Sequence, residues 1–234
     1  MKLIILKDKK QATKTAAYLI AEEINKNPNL VLGFATGKTM IPVYKELVKL
    51  NKRISFSKIK TFNLDEYKSL SPKSKLSLRY YMNKNLFNKA DIKKENINFL
   101  NGKEKNIKKM CKNYEIKIRE YSIDLQILGI GKNAHIGFNE PGSSFKSKTR
   151  EVNLSKSTMK SNRKMPEKAM TMGISTIMKA KKIILIATGK AKAKAIYNTL
   201  NKKVAEKVPA SILKKHRDIT FILDKTAASR LSEP

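Results

Sequence analysis

The chain has 234 residues, with 51 Lys and Arg against 19 Asp and Glu for a formal net charge of +32, 41% hydrophobic residues and one cysteine. This length buries a core of ordinary size, and one domain over residues 1–234 is expected. No apolar run is long enough to span a bilayer and MKLIILKDKK is too short and wrongly flanked for a signal peptide, so the expectation is a cytoplasmic protein without a membrane partner.

The charge raises nucleic-acid binding, because clustered Lys and Arg release counterions from phosphate backbones. The excess is nearly all lysine, however, and runs through every segment beside abundant Asn and Ile, with no basic arm or finger. It reads as compositional drift; loose, salt-sensitive attraction to polyanions is expected, but no specific nucleic-acid partner. Cys111 falls at helical spacing with Ile107, Met110, Tyr114 and Ile118, as a core residue does.

In chain order, LIIL (3–6) reads as a buried strand, and Asp8 with Gln11 resembles a capping box before a helix carrying Ala12, Ala16, Ile20 and Ile24. LVLGFA (30–35) is the next strand, followed by a helix over 40–50. IKTFN (59–63) precedes a helix over 76–87, INFL (97–100) a helix over 104–120, and DLQILGI (124–130) a long loop. KIILIAT (182–188) leads into a helix over 190–201, and ITFIL (219–223) closes the series. Strand and helix in alternation predict an α/β fold, a mostly parallel Rossmann-like sheet with helices on both faces. In such sheets ligands gather where strands end, so chemistry is sought in the loops that follow them.

Three loops qualify. GFATGKT is one residue too short for a nucleotide-binding P-loop, since Gly33 and Gly37 enclose three residues where that loop needs four. A Gly-rich turn into a helix still offers free N–H groups to an anion, with Lys38 and Thr39 as added donors; it is equally a plain strand-to-helix turn. After IKTFN, one of the adjacent Asp65 and Glu66 is expected to point into the cleft while the other faces away or caps the next segment. A partly desolvated carboxylate there suits proton transfer beside a carbonyl, although a solvated acid at a strand end has the same pattern.

The third loop, GIGKNAHIGFNEPGSS (129–144), imitates a dinucleotide fingerprint but runs on through Gly137, Pro141 and Gly142 instead of entering a helix. Its His135 stands between Asn133 and Glu140, both of which could accept the ring N–H and fix its tautomer. That is an acid/base arrangement, or else a loop histidine with ordinary hydrogen bonds.

FNLDEYKSLSPKSKLSLRYYM, KENINFLNG, DLQILGIGKNAHIGFNEPGSSF, AMTMGISTIMKAKKIILIATGKAKAKAI and VPASILKKH, in this order, resemble the glucosamine-6-phosphate deaminase (isomerase type) family, in its short bacterial form. HIGFNEPGSS is the most specific element, since the lactonases and ribose-phosphate isomerases of the same broad fold carry other residues after the histidine. The resemblance implies conversion of glucosamine 6-phosphate to fructose 6-phosphate and ammonia, with no metal and no cofactor. It implies that Asn133, His135 and Glu140 open the sugar ring and that Asp65 moves a proton between C2 and C1. Thr36, Gly37, Lys38, Thr39 and Lys192 would bind the substrate, with Arg163 or Lys164 replacing the family's phosphate arginine.

The sequence departs from the family at Lys38, usually a small residue, at NRKM (162–165) where S-R-F-F is usual, and at Lys214 where Gln is usual. His216 matches a family histidine and reads equally as a site residue or a structural one. Longer members add C-terminal sequence, form hexamers and respond to N-acetylglucosamine 6-phosphate; without that extension a monomer is expected. The alternatives are a non-catalytic sugar-phosphate sensor on the same fold and a charge-driven polyanion-binding protein.

Overall fold

The structure, a computed structural model, describes residues 1–155 and 166–231. Its strands are β1 (Lys2–Leu6), β2 (Val31–Phe34), β3 (Lys60–Asn63), β4 (Asp65–Tyr67), β5 (Ile97–Asn98), β6 (Leu125–Leu128), β7 (Arg150–Asn153), β8 (Lys168–Thr171), β9 (Lys182–Ala187) and β10 (Ile219–Asp224). The helices are α1 (Lys9–Lys26), α2 (Met40–Lys49), α3 (Leu78–Asn85), α4 (Ile107–Tyr121), α5 (Ile174–Ile177) and α6 (Ala193–Asn201). No described helix is long and apolar enough to cross a membrane.

The seven apolar runs form one sheet in the order β1-β10-β9-β6-β2-β3-β5, with every neighbouring pair parallel. In β2 and β3, Phe34 and Phe62 lie one step out of register and so project to opposite faces. Phe34 meets Tyr44 of α2 edge-on at 5.6 Å between ring centroids, and Phe62 meets Tyr114 of α4 at 5.5 Å. Helices therefore cover both faces, and both sides of the sheet are apolar. Asp8 caps α1 by accepting from Gln11 N at 2.8 Å, while the Gln11 side chain closes back on Lys7 N, one residue earlier than a strict capping box. Ala12, Ala16, Ile20 and Ile24 are buried beneath it.

The strand order reverses between β2 and β6: from β2 the chain builds outward through β3 and β5, and from β6 it builds the other way through β9 and β10. Loops leaving β2 and β6 diverge there and open a crevice at the strand ends. A second sheet, β4-β8-β7, is antiparallel and was not expected from the sequence. Its strands, DEY, REVN and KAMT, are short and lack the apolar run that marks the others.

Candidate active site

Three loops meet at the reversal point. The turn after β2 carries Thr36, Gly37, Lys38 and Thr39 into α2. Gly37 has φ +108° and open space where a Cβ would stand, so the left-handed turn suits glycine and leaves the backbone approachable. Thr39 caps α2 without a side-chain bond; in the first turn Met40 N–H is taken by Gly37 O (3.0 Å) and Pro42 has none, which leaves the Ile41 N–H for an anion. Tyr81, from α3, donates its hydroxyl to Gly37 O at 2.7 Å and steadies the turn, a contact with no local sequence signal. Lys38 is exposed.

β3 breaks at Leu64 and resumes as β4, which places Asp65 and Glu66 on opposite sides of the chain. The Glu66 carboxylate accepts from Tyr67 N (2.8 Å), Ser77 Oγ (2.7 Å), Leu78 N (3.0 Å) and Arg79 N (3.0 Å), closing the N-terminus of α3. Glu66 is thus the carboxylate that caps the next segment. Asp65 is buried, its Oδ1 has no partner among the described residues, and the Thr36 side chain supplies its hydrogen bond. Burial, then the neighbouring Glu66 charge, push the Asp65 carboxyl up to about 7, with the Thr36 bond opposing.

The loop after β6 folds tightly. The His135 ring lies against Gly131, where a Cβ would stand 2.4 Å from ring atom Cε1, so only glycine leaves room. Ala134 is held at φ +66°, a position few non-glycine residues occupy, by Ala134 N to Gly131 O (3.1 Å), Gly131 N to His135 O (2.9 Å) and Ala210 N to Ala134 O (3.0 Å). The last bond ties the segment VPASILKKH to the loop. His135 Nδ1 lies 3.3 Å from Glu140 Oε2. Asn133 does not take the ring N–H: its Oδ1 accepts the His135 backbone N–H (3.3 Å), and its Nδ2 donates to Glu140 Oε2 (2.7 Å). The amide oxygen is turned to the backbone N–H and the amide NH2 to the carboxylate. Asn133 therefore reaches the imidazole through Glu140.

The matching family model is "Glucosamine-6-phosphate isomerases/6-phosphogluconolactonase", over residues 7–222. The chain belongs to this family. It is 51% identical to glucosamine-6-phosphate deaminase of Clostridium novyi, covering 99% of this chain and 100% of that one. It is 48% identical to the enzyme of the same name from Clostridium botulinum, covering 99% of each. The solved structure of a monomeric glucosamine-6-phosphate deaminase superposes with a TM-score of 0.95 at 39% identity, covering 98% of this chain and 99% of that one. A 6-phosphogluconolactonase from Trypanosoma brucei shares the fold at a TM-score of 0.82 and 18% identity, covering 99% and 98%.

Within this family frame the remaining residues fall into place. Lys192 follows β9 in a short 3-10 turn whose Gly189, at φ +91°, donates its N–H to both oxygens of Asp224 at 3.0 Å. Its Nζ donates to Ile130 O at 2.6 Å, which brings it to the His135 loop. Burial, then the Lys132 charge, hold the Lys192 ammonium below the usual lysine range. His216 is structural: it is buried, with Nε2 on Ala180 O (2.8 Å) and Nδ1 taking Asp218 N–H (3.2 Å). Lys214 donates to the carbonyls of Leu200 and Lys202 and closes the C-terminus of α6. Arg163 and Lys164 lie outside the described residues. A groove of about 960 Å³ beside α4 and β7 contains none of the sequence-predicted site residues.

Proposed function

We propose that the protein converts glucosamine 6-phosphate and water to fructose 6-phosphate and ammonia, as a cytoplasmic monomer of one domain. The observation that carries this reading is a pair of separate acid/base devices after β3 and β6, the strands on either side of β2: a buried carboxyl near neutrality, Asp65, and a His135–Glu140 pair. A carboxyl raised to about 7 combines a useful ionised fraction at neutral pH with the basicity to remove a proton beside a carbonyl. A sensor has no use for such a group, and polyanion binding does not account for it.

In this mechanism the phosphate sits on the N–H groups of the Gly37–Thr39 turn, with Lys38 and Lys192 as cations. His135 moves a proton from the C1 hydroxyl to the ring oxygen, the C1–O5 bond breaks, and the aldehyde forms. Glu140, held by Asn133, stabilises the imidazolium while it lasts. Asp65 then takes the C2 proton to give an enolamine and returns a proton to C1, leaving a ketose imine. Water adds at C2, ammonia departs, and fructose 6-phosphate remains. Each step is a proton transfer, an addition or an elimination. The deciding experiment is ammonia release from glucosamine 6-phosphate without added metal. Turnover supports the reading; substrate binding without turnover favours the sensor, and salt-sensitive RNA binding without ammonia release favours the polyanion protein.

A further inference from the structure

One row of the small antiparallel sheet runs Asp65, Thr171, Arg150, with Thr171 paired to Asp65 on one side and to Arg150 on the other. Residues paired across a ladder project from the same face. Thr171 and Arg150 bond to the turn 136–139, the four residues that separate His135 from Glu140, and Asp65 lies beside it. Thr171 Oγ1 accepts the Phe138 N–H at 3.0 Å. Arg150 Nη1 donates to Asn139 Oδ1 at 2.9 Å. Gly137 lies so close to the row that a Cβ there would stand 2.8 Å from Thr171 Oγ1 and 3.8 Å from Asp65 Oδ2.

Asn139 completes the grip. It is fully buried, and its Nδ2 donates to Ile136 O (2.9 Å) and Met172 O (2.8 Å), fastening the turn to itself and to the residue after β8. Its oxygen is satisfied by Arg150. Without the guanidinium that buried acceptor is left unpaired, at a cost of roughly 1–3 kcal/mol, or is relieved by movement of the turn.

We propose that Thr171 and Arg150 are positioning residues that register the His135–Glu140 pair against Asp65, so that one row of strand pairing sets the geometry of the ring-opening proton transfer. The proposal rests on the deaminase reading. Neither residue touches the phosphate turn in the structure, so each acts on the rate of ring opening and not on substrate affinity. A displacement of about 1 Å in such a group costs on the order of 100-fold in rate.

The test compares Thr171→Val and Arg150→Met with the conservative Thr171→Ser and Arg150→Lys. Two rates are measured: ammonia release from glucosamine 6-phosphate, which needs the ring opened, and solvent exchange of the C1 proton of fructose 6-phosphate with ammonium in D2O, which reports Asp65 chemistry. Thr171→Val and Arg150→Met are expected to lower the ratio of release to exchange about 10-fold or more, with KM within about 2-fold of wild type and partial recovery in the conservative variants. An unchanged ratio, whether both rates fall together or neither falls, overturns the proposal. Should Thr171→Val fail to fold, Arg150→Met at its half-exposed site decides the matter. No ammonia release by the wild-type chain overturns the deaminase reading and this proposal with it; a normal wild type with an unchanged ratio overturns the proposal alone.

Discussion

Replacing Asp65 with Asn separates stability from catalysis. The folded protein holds this carboxyl at about 7 against an ordinary 3.8, which corresponds to about 4 kcal/mol at 1.36 kcal/mol per pKa unit. The sign follows from proton binding: between those values the native state keeps a proton that the unfolded chain has lost, so this group destabilises the fold progressively as pH rises, and fully above 7. Asparagine removes that ionisation and keeps an oxygen for Thr36, but its NH2 is buried without an assured partner, at roughly 1–3 kcal/mol. The amide cost is the same at every pH and cancels when two pH values are compared. Urea unfolding of both proteins at pH 4.5 and pH 8 is therefore expected to show the variant gaining about 3 kcal/mol on wild type between the two conditions. Turnover at pH 8 falls by a factor on the order of 10² to 10⁴, the worth of a positioned general base. A relative gain below about 1 kcal/mol would mean that Asp65 is not held protonated by its surroundings, and near wild-type turnover would remove it from the mechanism.

Glu66→Gln puts an NH2 among the donors of Ser77, Leu78 and Arg79, and is expected to cost about 2–3 kcal/mol in thermal or urea unfolding. It also removes the like charge beside Asp65, so the ascending limb of the pH–rate profile moves to lower pH; an unmoved limb contradicts the coupling. His135→Gln and Glu140→Gln are expected to slow the closed-ring substrate by on the order of 10²-fold or more and an acyclic analogue far less, as measured by initial rates on both. Equal slowing on both substrates would make His135 a later-step acid. EDTA is expected to leave ammonia release unchanged, because no group of three His, Cys, Asp or Glu among the described residues is arranged to hold a metal; inhibition reversed by a divalent ion would overturn this.

The parallel sheet was legible because buried strands announce themselves as short, unbroken, β-branched apolar runs: KIILIA, with five of six residues buried, is such a central strand. The positions of Asp65 and His135 followed from that, since each lies in the segment that follows such a run. What stayed hidden is held by backbone and side-chain bonds between segments distant in sequence. The strands REVN and KAMT pair through Arg150 and Thr171, and nothing local distinguishes them from polar loop. Likewise Tyr81 looks like a helix-face residue until its hydroxyl is seen on Gly37 O, across 44 positions of chain. Asp65 and Glu66 carry the sharpest contrast. They are adjacent carboxylates, both buried, yet Glu66 is surrounded by donors from α3 while Asp65 keeps an oxygen without a partner among the described residues. The sequence reading is that one of the two points into the cleft while the other faces away or caps the next segment. Which one does so depends on where the Ser77–Arg79 turn arrives, and that is fixed by tertiary packing. The same arrival sharpens the chemistry: burial raises the Asp65 carboxyl most, and Glu66, by consuming the donors of α3 without sharing them, adds a charge beside it, so the carboxyl left over is the one raised toward neutrality.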